Sequence, residues 1–261
     1  MKKTLTFLII SMIAFCAYAQ DLYIGSYYVT SGTEESQYGD GNDKWTTRAN
    51  VIRNMFNFEN PDVIGLQSLT ASESTQLDKF MTNHLLVNDI LYHKDLQVDT
   101  CGVLEGLPEG STCSWAKFHK EENAFYVFNM CLSSDQDAAT ESATFIRNAT
   151  RDINSSNLPC FIVGYLGVDQ TSRAYPKITI LFNDCYTTTD VVSAEYGTIN
   201  NFDLEANHNN NRYDFVFASK KVIVKAYGQL QYGYFTKESD GSYKRRLPST
   251  HFPVMVKATL R

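Results

Sequence analysis

Residues 161–169 read FIVGYLGVD, a pattern typical of a buried strand that ends in a sharp turn. An apolar run leads into Gly164, and glycine permits the backbone conformations that tight turns need. Carboxylate or amide side chains at such a turn would bind a metal ion or move protons. The turn instead carries Tyr165, Leu166 and Gly167. It is either an ordinary strand end or a reactive site that has lost its reactive groups.

Apolar periodicity predicts the elements that would surround this turn. Strands outnumber helices, and the helices fall between strands mainly in the first two thirds of the chain. This order favours an α+β (α/β) sandwich of layered sheets flanked by helices. Residues 175–185 fit a helix or a strand equally well. Strands are predicted at residues 21–29, 62–69, 89–98, 159–166, 209–219, 221–230 and 251–260, a hairpin at 113–132, and helices at 44–59, 73–86 and 141–156.

Seven short motifs, each weak alone, occur in the same order as in one known family. They are NDKWTTR with NVIRNMFNFENPDVIGLQSL, ILYHKDLQV, CSWAKF, FYVFNMCLSS, FIVGYLG, NRYDFVFAS and STHFPVMV. Together they resemble the endonuclease/exonuclease/phosphatase superfamily, which has the deoxyribonuclease I-like fold. The resemblance covers nearly all of the chain after its first residues. It implies two packed, mainly antiparallel sheets flanked by helices.

The resemblance also implies a chemistry, which is metal-assisted hydrolysis of phosphoric esters. In the family, carboxylate and amide oxygens hold Mg²⁺, and an Asp and a His move protons or orient water. Most of those positions carry other residues in this sequence. Tyr28 stands for an Asn, Ser68 for the metal-binding Glu, Cys131 for a His, Ser133 for an Asp, Tyr165 for the proton-handling Asp, Gly167 for an Asn, and Thr250 for an Asp near the metal.

Four of the family's positions are retained. They are His251, Asp214, which in the family supports that His, Asn129 and Arg212. Neutral hydroxyls are weak Mg²⁺ ligands compared with carboxylates, so we expect no bound metal and no other cofactor. The sequence therefore predicts a pseudoenzyme that binds a small ligand, a glycan or a protein.

The alternative is a Mg²⁺-dependent phosphodiesterase or phosphatase with relocated metal ligands. Asp62 and Glu73 are the acids that would replace the lost ones. Asp62 belongs to a Pro-Asp turn, and Glu73 begins a predicted helix. Both positions favour structural roles, as a turn acid and as a helix-start acid.

A second alternative concerns Cys131, His251 and Asp214, which the resemblance places in one cleft. A thiol, an imidazole and a carboxylate in contact would activate a cysteine nucleophile. The competing interpretation is that His251 and Asp214 satisfy each other as buried polar groups and that Cys131 is a packed thiol.

The N-terminus has the pattern of a secretory signal peptide. Lys2 and Lys3 precede a short apolar run, and Ala17 and Ala19 provide small residues before a cleavage site near Gln20. Residues 1–19 are predicted to be removed, leaving one domain at residues 20–261. No later stretch has the ~20 apolar residues of a transmembrane helix. We expect a bacterial protein exported to the periplasm, the cell surface or the medium.

The charge of the chain disfavours a nucleic-acid partner. The net charge is −6 and the isoelectric point is about 5.4. Nucleic-acid binders depend on neutralising phosphates, and they usually carry a basic stripe. The densest basic cluster here is only residues 244–246.

Five cysteines remain after the predicted cleavage, an odd number. Export permits disulfides, and an odd count leaves at least one thiol unpaired within the chain. Cys101 and Cys113 flank a loop rich in Gly and Pro and form the predicted pair. Cys160 lies in an apolar strand, and we expect it to be a packed thiol.

Overall fold

The computed structural model describes residues 20–37, 44–193, 197–203 and 210–261. Two β-sheets pack against each other there, and helices lie on their outer faces. The sandwich predicted from the sequence is thus confirmed. The predicted signal segment, residues 1–19, lies outside the described residues. Across the described ranges, no helix is both long enough and apolar enough to cross a membrane.

The described strands are β1 (Asp21–Tyr28), β2 (Val63–Gln67), β3 (His84–Val87), β4 (Ile90–His93), β5 (Gln97–Val103), β6 (Thr112–Lys120), β7 (Asn123–Cys131), β8 (Cys160–Tyr165), β9 (Asn183–Asp184), β10 (Val192–Ser193), β11 (Asp214–Ala218), β12 (Val222–Gln229), β13 (Tyr234–Lys237), β14 (Tyr243–Arg246) and β15 (Val254–Leu260). The helices are α1 (Trp45–Glu59), α2 (Ala71–Phe80), α3 (Gln136–Ile153), α4 (Tyr175–Thr179) and α5 (Cys185–Thr188).

The first sheet has seven described strands in the order β10-β12-β15-β1-β2-β4-β3, and the second has six in the order β5-β6-β7-β8-β11-β9. Strands β13 and β14 form a separate hairpin. Most neighbouring strands are antiparallel; β1 with β2, β10 with β12, and β7 with β8 are parallel.

The central strands are apolar on both faces because each face meets a different layer. In β8, Phe161 and Val163 face the core between the sheets, while Cys160 and Ile162 face the layer with α3 and α4. Successive side chains of a strand point to opposite faces, so a strand covered on both sides reads as a continuous apolar run. This explains the sequence pattern before Gly164.

Helix α1 covers the outer face of the first sheet and ends as its sequence predicts. Ile52, Met55 and Phe56 are buried against that sheet. Asn60 takes a left-handed backbone conformation with φ 51°, which is a common helix C-terminus. Pro61 follows and disfavours a helical conformation in the residue before it.

Three segments differ from the predicted elements in type or continuity, and the bounds of the other predicted elements differ by up to five residues. Residues 89–98 do not form one strand, because β4 ends at His93 and a tight turn leads into β5. The helix predicted at 73–86 ends at Phe80, and β3 includes the last three residues of that range, 84–86. Residues 175–185 divide into the short helix α4, the two-residue strand β9 and the start of α5. Local periodicity alone does not fix such boundaries, which depend on pairing with distant strands.

The predicted disulfide between Cys101 and Cys113 is wrong. Cys101 is opposite Ala116 on β6, three residues from Cys113 and therefore about 10 Å away along that strand. A disulfide needs Cα atoms within about 7 Å. Cys101 is exposed and Cys113 is buried, so their side chains occupy different environments, and both are free thiols.

Candidate functional site

Four strand ends converge on one cleft at one end of the sandwich. Tyr28 is the last residue of β1 and Tyr165 the last of β8. Asp214 begins β11 directly opposite Tyr165, and His251 lies just before β15. Residues far apart in the sequence therefore meet because their strands are neighbours in the two sheets.

His251 and Asp214 form a buried hydrogen-bonded pair. His251 Nδ1 lies 2.8 Å from Asp214 Oδ2, and the two residues are 6% and 0% exposed. The other carboxylate oxygen of Asp214, Oδ1, is buried and makes no hydrogen bond to the residues that the structure describes. The pair joins β11 of the second sheet to the segment that leads into β15 of the first.

Two tyrosines fill the space in front of His251. The ring of Tyr28 stacks on the imidazole, with 4.3 Å between centroids and 23° between planes. The ring of Tyr165 meets both, with centroids 5.4 Å from His251 and 5.0 Å from Tyr28. It also lies 6.4 Å from the ring of Tyr213. The turn after Gly164 thus places a phenol where the resemblance puts a catalytic aspartate.

Glu34 is the one carboxylate among the residues that line a small pocket next to His251, and no motif in the sequence marks it as a site residue. Its carboxylate accepts hydrogen bonds from the hydroxyls of Tyr28 at 2.8 Å and Ser68 at 2.7 Å, and from the backbone N–H of Ser31 at 3.1 Å. Burial raises the pKa of Tyr28 above its usual range, so the phenol stays protonated and donates to Glu34. Glu34 lies in an irregular polar loop, where no periodicity marks it.

The hydroxyls at the two lost metal positions are already hydrogen-bonded. Ser68 has a left-handed backbone, with φ 66°, and donates to Glu34. Thr250 lies 2.5 Å, oxygen to oxygen, from the hydroxyl of Thr30, which also accepts from the Thr250 N–H at 2.9 Å. The bonds between Thr30 and Thr250 tie the loop after β1 to the segment before β15, and the bond from Ser68 ties the same loop to the end of β2.

Asn129 connects the two sheets. Its amide nitrogen donates to the carbonyls of Leu66 at 2.9 Å and Asp89 at 3.1 Å, and its oxygen accepts from Gln67 at 2.7 Å. A Cβ on Gly65 would lie 2.5 Å from that oxygen, so only glycine fits at this point of β2. Asn129 is therefore fully used in packing the sandwich.

Gly167 has a backbone that other residues would not adopt there. Its φ is +79°, and an added Cβ would lie 2.0 Å from the carbonyl oxygen of Ser133. An asparagine, which the family has at this position, could not be accommodated without a shift of the backbone.

Arg212 is used in packing, and the thiol of Cys131 is poorly suited to nucleophilic chemistry. Arg212 forms an ion pair with Asp184 at 2.8 Å and lies over the ring of Tyr186 at 4.2 Å. Burial raises the pKa of the Cys131 thiol to about 12, with Glu34 and Asp214 adding to the effect. A thiol with such a pKa is protonated at neutral pH, which opposes the activated-cysteine hypothesis.

The acids considered as substitute metal ligands have structural roles, as their positions in the sequence favoured. Asp62 accepts from the N–H of Tyr23 at 2.8 Å. Glu73 forms a capping box with Thr70 at the start of α2, and it also accepts from the N–H of Gly32 at 2.6 Å. Neither carboxylate lines the cleft.

The described residues do not fit a divalent metal ion. Across the described ranges, no group of three or more His, Cys, Asp or Glu side chains is placed to hold one. Hard cations need several oxygen ligands, most of them charged. Glu34 is the one carboxylate among the residues that line the smaller cleft pocket, and Asp214 is bonded to His251.

The cleft contains two separate spaces. A pocket of about 170 Å³ is lined by Tyr28, Glu34, Gln37, Tyr165, Ile199, Asn201, Thr250 and His251. A larger pocket of about 480 Å³ lies beyond Ser68, between the β3–β4 turn and the β5–β6 hairpin, and Cys131 and Asn129 line it. No lysine or arginine is among the residues that line either pocket.

Solved structures with the same fold include two from Bacteroides thetaiotaomicron. An endonuclease/exonuclease/phosphatase family protein is 25% identical, with a TM-score of 0.85, over 93% of this chain and 99% of that one. A mannosyl-6-phosphatase is also 25% identical, with a TM-score of 0.82, over 91% and 99%. TDP2 from Caenorhabditis elegans, in a truncated form, shares the fold at 16% identity and a TM-score of 0.67, over 92% and 98%.

Neither a protein-family model nor a curated protein matches the sequence. The architecture and the likeness to named family members over nearly the whole chain place it in the endonuclease/exonuclease/phosphatase superfamily.

Proposed function

We propose that this chain is an exported, catalytically inactive member of the superfamily that binds a ligand in its altered cleft. The observation that carries the proposal is the stacking of Tyr28 on His251, with Tyr165 against both rings. The two phenol rings stand at the positions where the resemblance puts an amide and a carboxylate, so the cleft lacks those two polar groups. His251 and Asp214 then act as a buried structural pair.

The electrostatics of the cleft oppose phosphate as a ligand. A phosphate would meet the carboxylate of Glu34 without a lysine or arginine among the pocket residues to balance the repulsion. The His251 imidazole, covered by Tyr28 and bonded to Asp214, offers little compensation.

A neutral sugar ring suits the same pocket. Its C–H face would pack on the Tyr165 ring, and its hydroxyls would donate to Glu34 and bond Asn201. A volume of about 170 Å³ is smaller than most sites for whole small molecules, so it would hold one ring of a longer glycan. The named activity of one structural neighbour, a mannosyl-6-phosphatase, supports a carbohydrate ligand.

Inactivity is tested with bis(4-nitrophenyl) phosphate, 4-nitrophenyl phosphate and mannose 6-phosphate. We expect the same background rate with Mg²⁺, with Mn²⁺ and with EDTA, and the same rate for the His251→Ala variant. Turnover that EDTA removes and that His251→Ala abolishes would overturn the proposal.

Ligand binding is tested by calorimetry with manno-oligosaccharides and by a glycan array. We expect Tyr165→Ala and Glu34→Gln each to weaken binding at least tenfold. Tyr243→Ala is the control, because Tyr243 is 68% exposed on the β13–β14 hairpin. Saturable binding that none of the cleft substitutions changes would place the ligand elsewhere.

The second candidate is a metal-dependent phosphoric ester hydrolase in which Glu34 has taken over from the acid lost at position 68. The 2.7 Å hydrogen bond between Ser68 and Glu34 favours it, since it brings a carboxylate beside that position. This candidate requires that calorimetry detect Mn²⁺ binding and that the Glu34→Gln substitution abolish both this binding and turnover. Without metal binding, the hydrolase hypothesis fails.

Export rests on residues 1–19 and is tested separately. Expression of the full chain in a bacterial host is expected to give a secreted or periplasmic product whose N-terminal residue is Gln20. An intact N-terminus in the cytoplasmic fraction would contradict it.

A further inference from the structure

A cavity of about 460 Å³ lies at the end of the sandwich opposite the cleft. Strand β8 runs from Cys160, which lines this cavity, to Tyr165, which lines the cleft. A strand rises about 3.3 Å per residue, so the two sites lie about 16 Å apart. The volume falls within the range of small-molecule sites, about 300–1,000 Å³. The cavity shares no lining residue with the cleft pockets.

The floor of the cavity is apolar. Leu158, Cys160, Leu181 and Phe182 line it, and Leu181 is 41% exposed. The backbone polar groups of the floor are satisfied within the protein. The Cys160 N–H donates to Ser219 Oγ at 3.1 Å, and the Ser219 N–H donates to the Cys160 carbonyl at 2.8 Å. A ligand therefore meets mainly hydrocarbon surface there.

One wall of the cavity is a loop held in a fixed conformation. The side chain of Asn154 bonds the N–H and the carbonyl of Leu158, each at 2.8 Å. Asn157 takes the left-handed conformation, with φ 51°, and its carbonyl accepts from Lys221 Nζ at 2.5 Å. The shape of the wall thus exists before any ligand binds, which lowers the entropic cost of binding.

The rim of the cavity is cationic. Arg151, Lys220 and Lys221 line it, and no aspartate or glutamate does so. Within the described ranges, Arg151 and Lys220 have neither a hydrogen bond nor an ion pair with another residue. Three cations over an apolar floor are unusual in a chain with a net charge of −6.

We propose that this cavity, formed by Arg151, Leu158, Leu181, Phe182, Lys220 and Lys221, binds a single-chain amphiphilic carboxylate such as a medium-chain fatty acid. The alkyl chain packs on the floor between Leu158, Leu181 and Phe182. The carboxylate lies at the rim and pairs with Arg151 and Lys220. Burial of the chain supplies affinity, and the cations select for negative charge.

The test is displacement of a fluorescent probe, 11-(dansylamino)undecanoic acid, by dodecanoate below its critical micelle concentration. We expect displacement by dodecanoate, and none by butanoate, which lacks the chain, or by dodecyltrimethylammonium, which has the opposite charge. The double variant Arg151→Glu/Lys220→Glu should bind dodecanoate at least tenfold more weakly, and Leu181→Asp should do the same.

Two controls separate this site from general effects. Lys79→Glu/Lys237→Glu reverses two exposed charges elsewhere and should leave dodecanoate affinity unchanged. Tyr165→Ala should also leave it unchanged, which separates the cavity from the cleft. Equal affinity in the Arg151→Glu/Lys220→Glu variant, or equal displacement by the cationic detergent, would overturn the proposal. The proposal would also fail if the protein sedimented with phosphatidylglycerol vesicles, lost this sedimentation in the Arg151→Glu/Lys220→Glu variant, and did not bind dodecanoate. The partner would then be a membrane surface.

Discussion

The ring of Tyr28 stacks on the ring of His251, and the hydroxyl of the same tyrosine donates to Glu34 at 2.8 Å. The phenol thus fixes two groups that face the cleft. We expect Tyr28→Phe to keep the stacking and to lose the hydrogen bond. A hydrogen bond to a charged group contributes about 1.5 kcal/mol at the lower end of the known range. Tyr28→Phe should therefore lower the free energy of unfolding, measured with urea, by that amount.

Tyr243→Phe is the matched control for that measurement. It removes a phenolic hydroxyl from a residue that is 68% exposed, and it should change the free energy of unfolding by less than about 0.5 kcal/mol. Equal losses of unfolding free energy in Tyr28→Phe and Tyr243→Phe would mean that the hydrogen bond from Tyr28 to Glu34 does not stabilise the fold.

Gly167 should resist substitution more strongly than a glycine with the same backbone conformation elsewhere. Gly167 and Gly106 have φ values of +79° and +82°, but a Cβ on Gly106 would have no neighbour within 4 Å. Gly106→Ala should cost about 1–2 kcal/mol from conformation alone. Gly167→Ala adds the contact with the Ser133 carbonyl, and overpacking costs about 1–3 kcal/mol more. Thermal or urea unfolding measures the loss of stability in each variant. Equal losses for Gly106→Ala and Gly167→Ala would contradict a clash between the new Cβ at position 167 and the Ser133 carbonyl.

The sequence predicted the sandwich because its motifs occur on strands that are buried on both faces. Phe161 to Val163 and Phe215 to Phe217 fill two cores, and this leaves little freedom for other residue types. Asp214 and His251 are close because β11 and β15 belong to sheets that pack against each other, and the strand ends that carry the two residues lie at the same end of the sandwich. These features follow from strand order, which the motifs preserve.

The sequence did not predict Glu34 or the packing roles of Asn129 and Arg212. Glu34 belongs to a loop without periodicity, and its position depends on the left-handed backbone of Ser68 and on the Tyr28 phenol. Arg212 could point to the cleft or away from it, and only the placement of Asp184 on β9 decides between them. Contacts between side chains from distant loops leave no trace in local spacing.

Cys131 should react slowly with alkylating agents. Burial raises the pKa of its thiol to about 12, and only the thiolate is nucleophilic. At about pH 8, iodoacetamide should modify the exposed Cys101 long before Cys131, as peptide mass spectrometry would show. His251→Ala should leave the rate at Cys131 unchanged. A fast reaction at Cys131 that this substitution slows would restore the hypothesis of an activated cysteine.

His84 should make the protein less stable at mildly acidic pH. Its Nε2 lies 2.7 Å from the Pro61 carbonyl, and its ring meets the edge of His93 with centroids 5.4 Å apart. Burial lowers the pKa of His84, with His93 and Lys94 adding to the shift and the Pro61 carbonyl and Asp62 opposing it.

The folded state therefore keeps His84 neutral, whereas the unfolded chain takes up a proton near pH 6.5. Its contribution to stability is present above that pH and is lost as the pH falls toward the lowered pKa of the folded state. His84→Gln can still donate to Pro61 but does not titrate. Urea unfolding between about pH 7 and pH 5 should show a smaller loss of free energy for His84→Gln than for the parent chain. Equal slopes in the two proteins would show that His84 protonates as readily in the folded state as in the unfolded one.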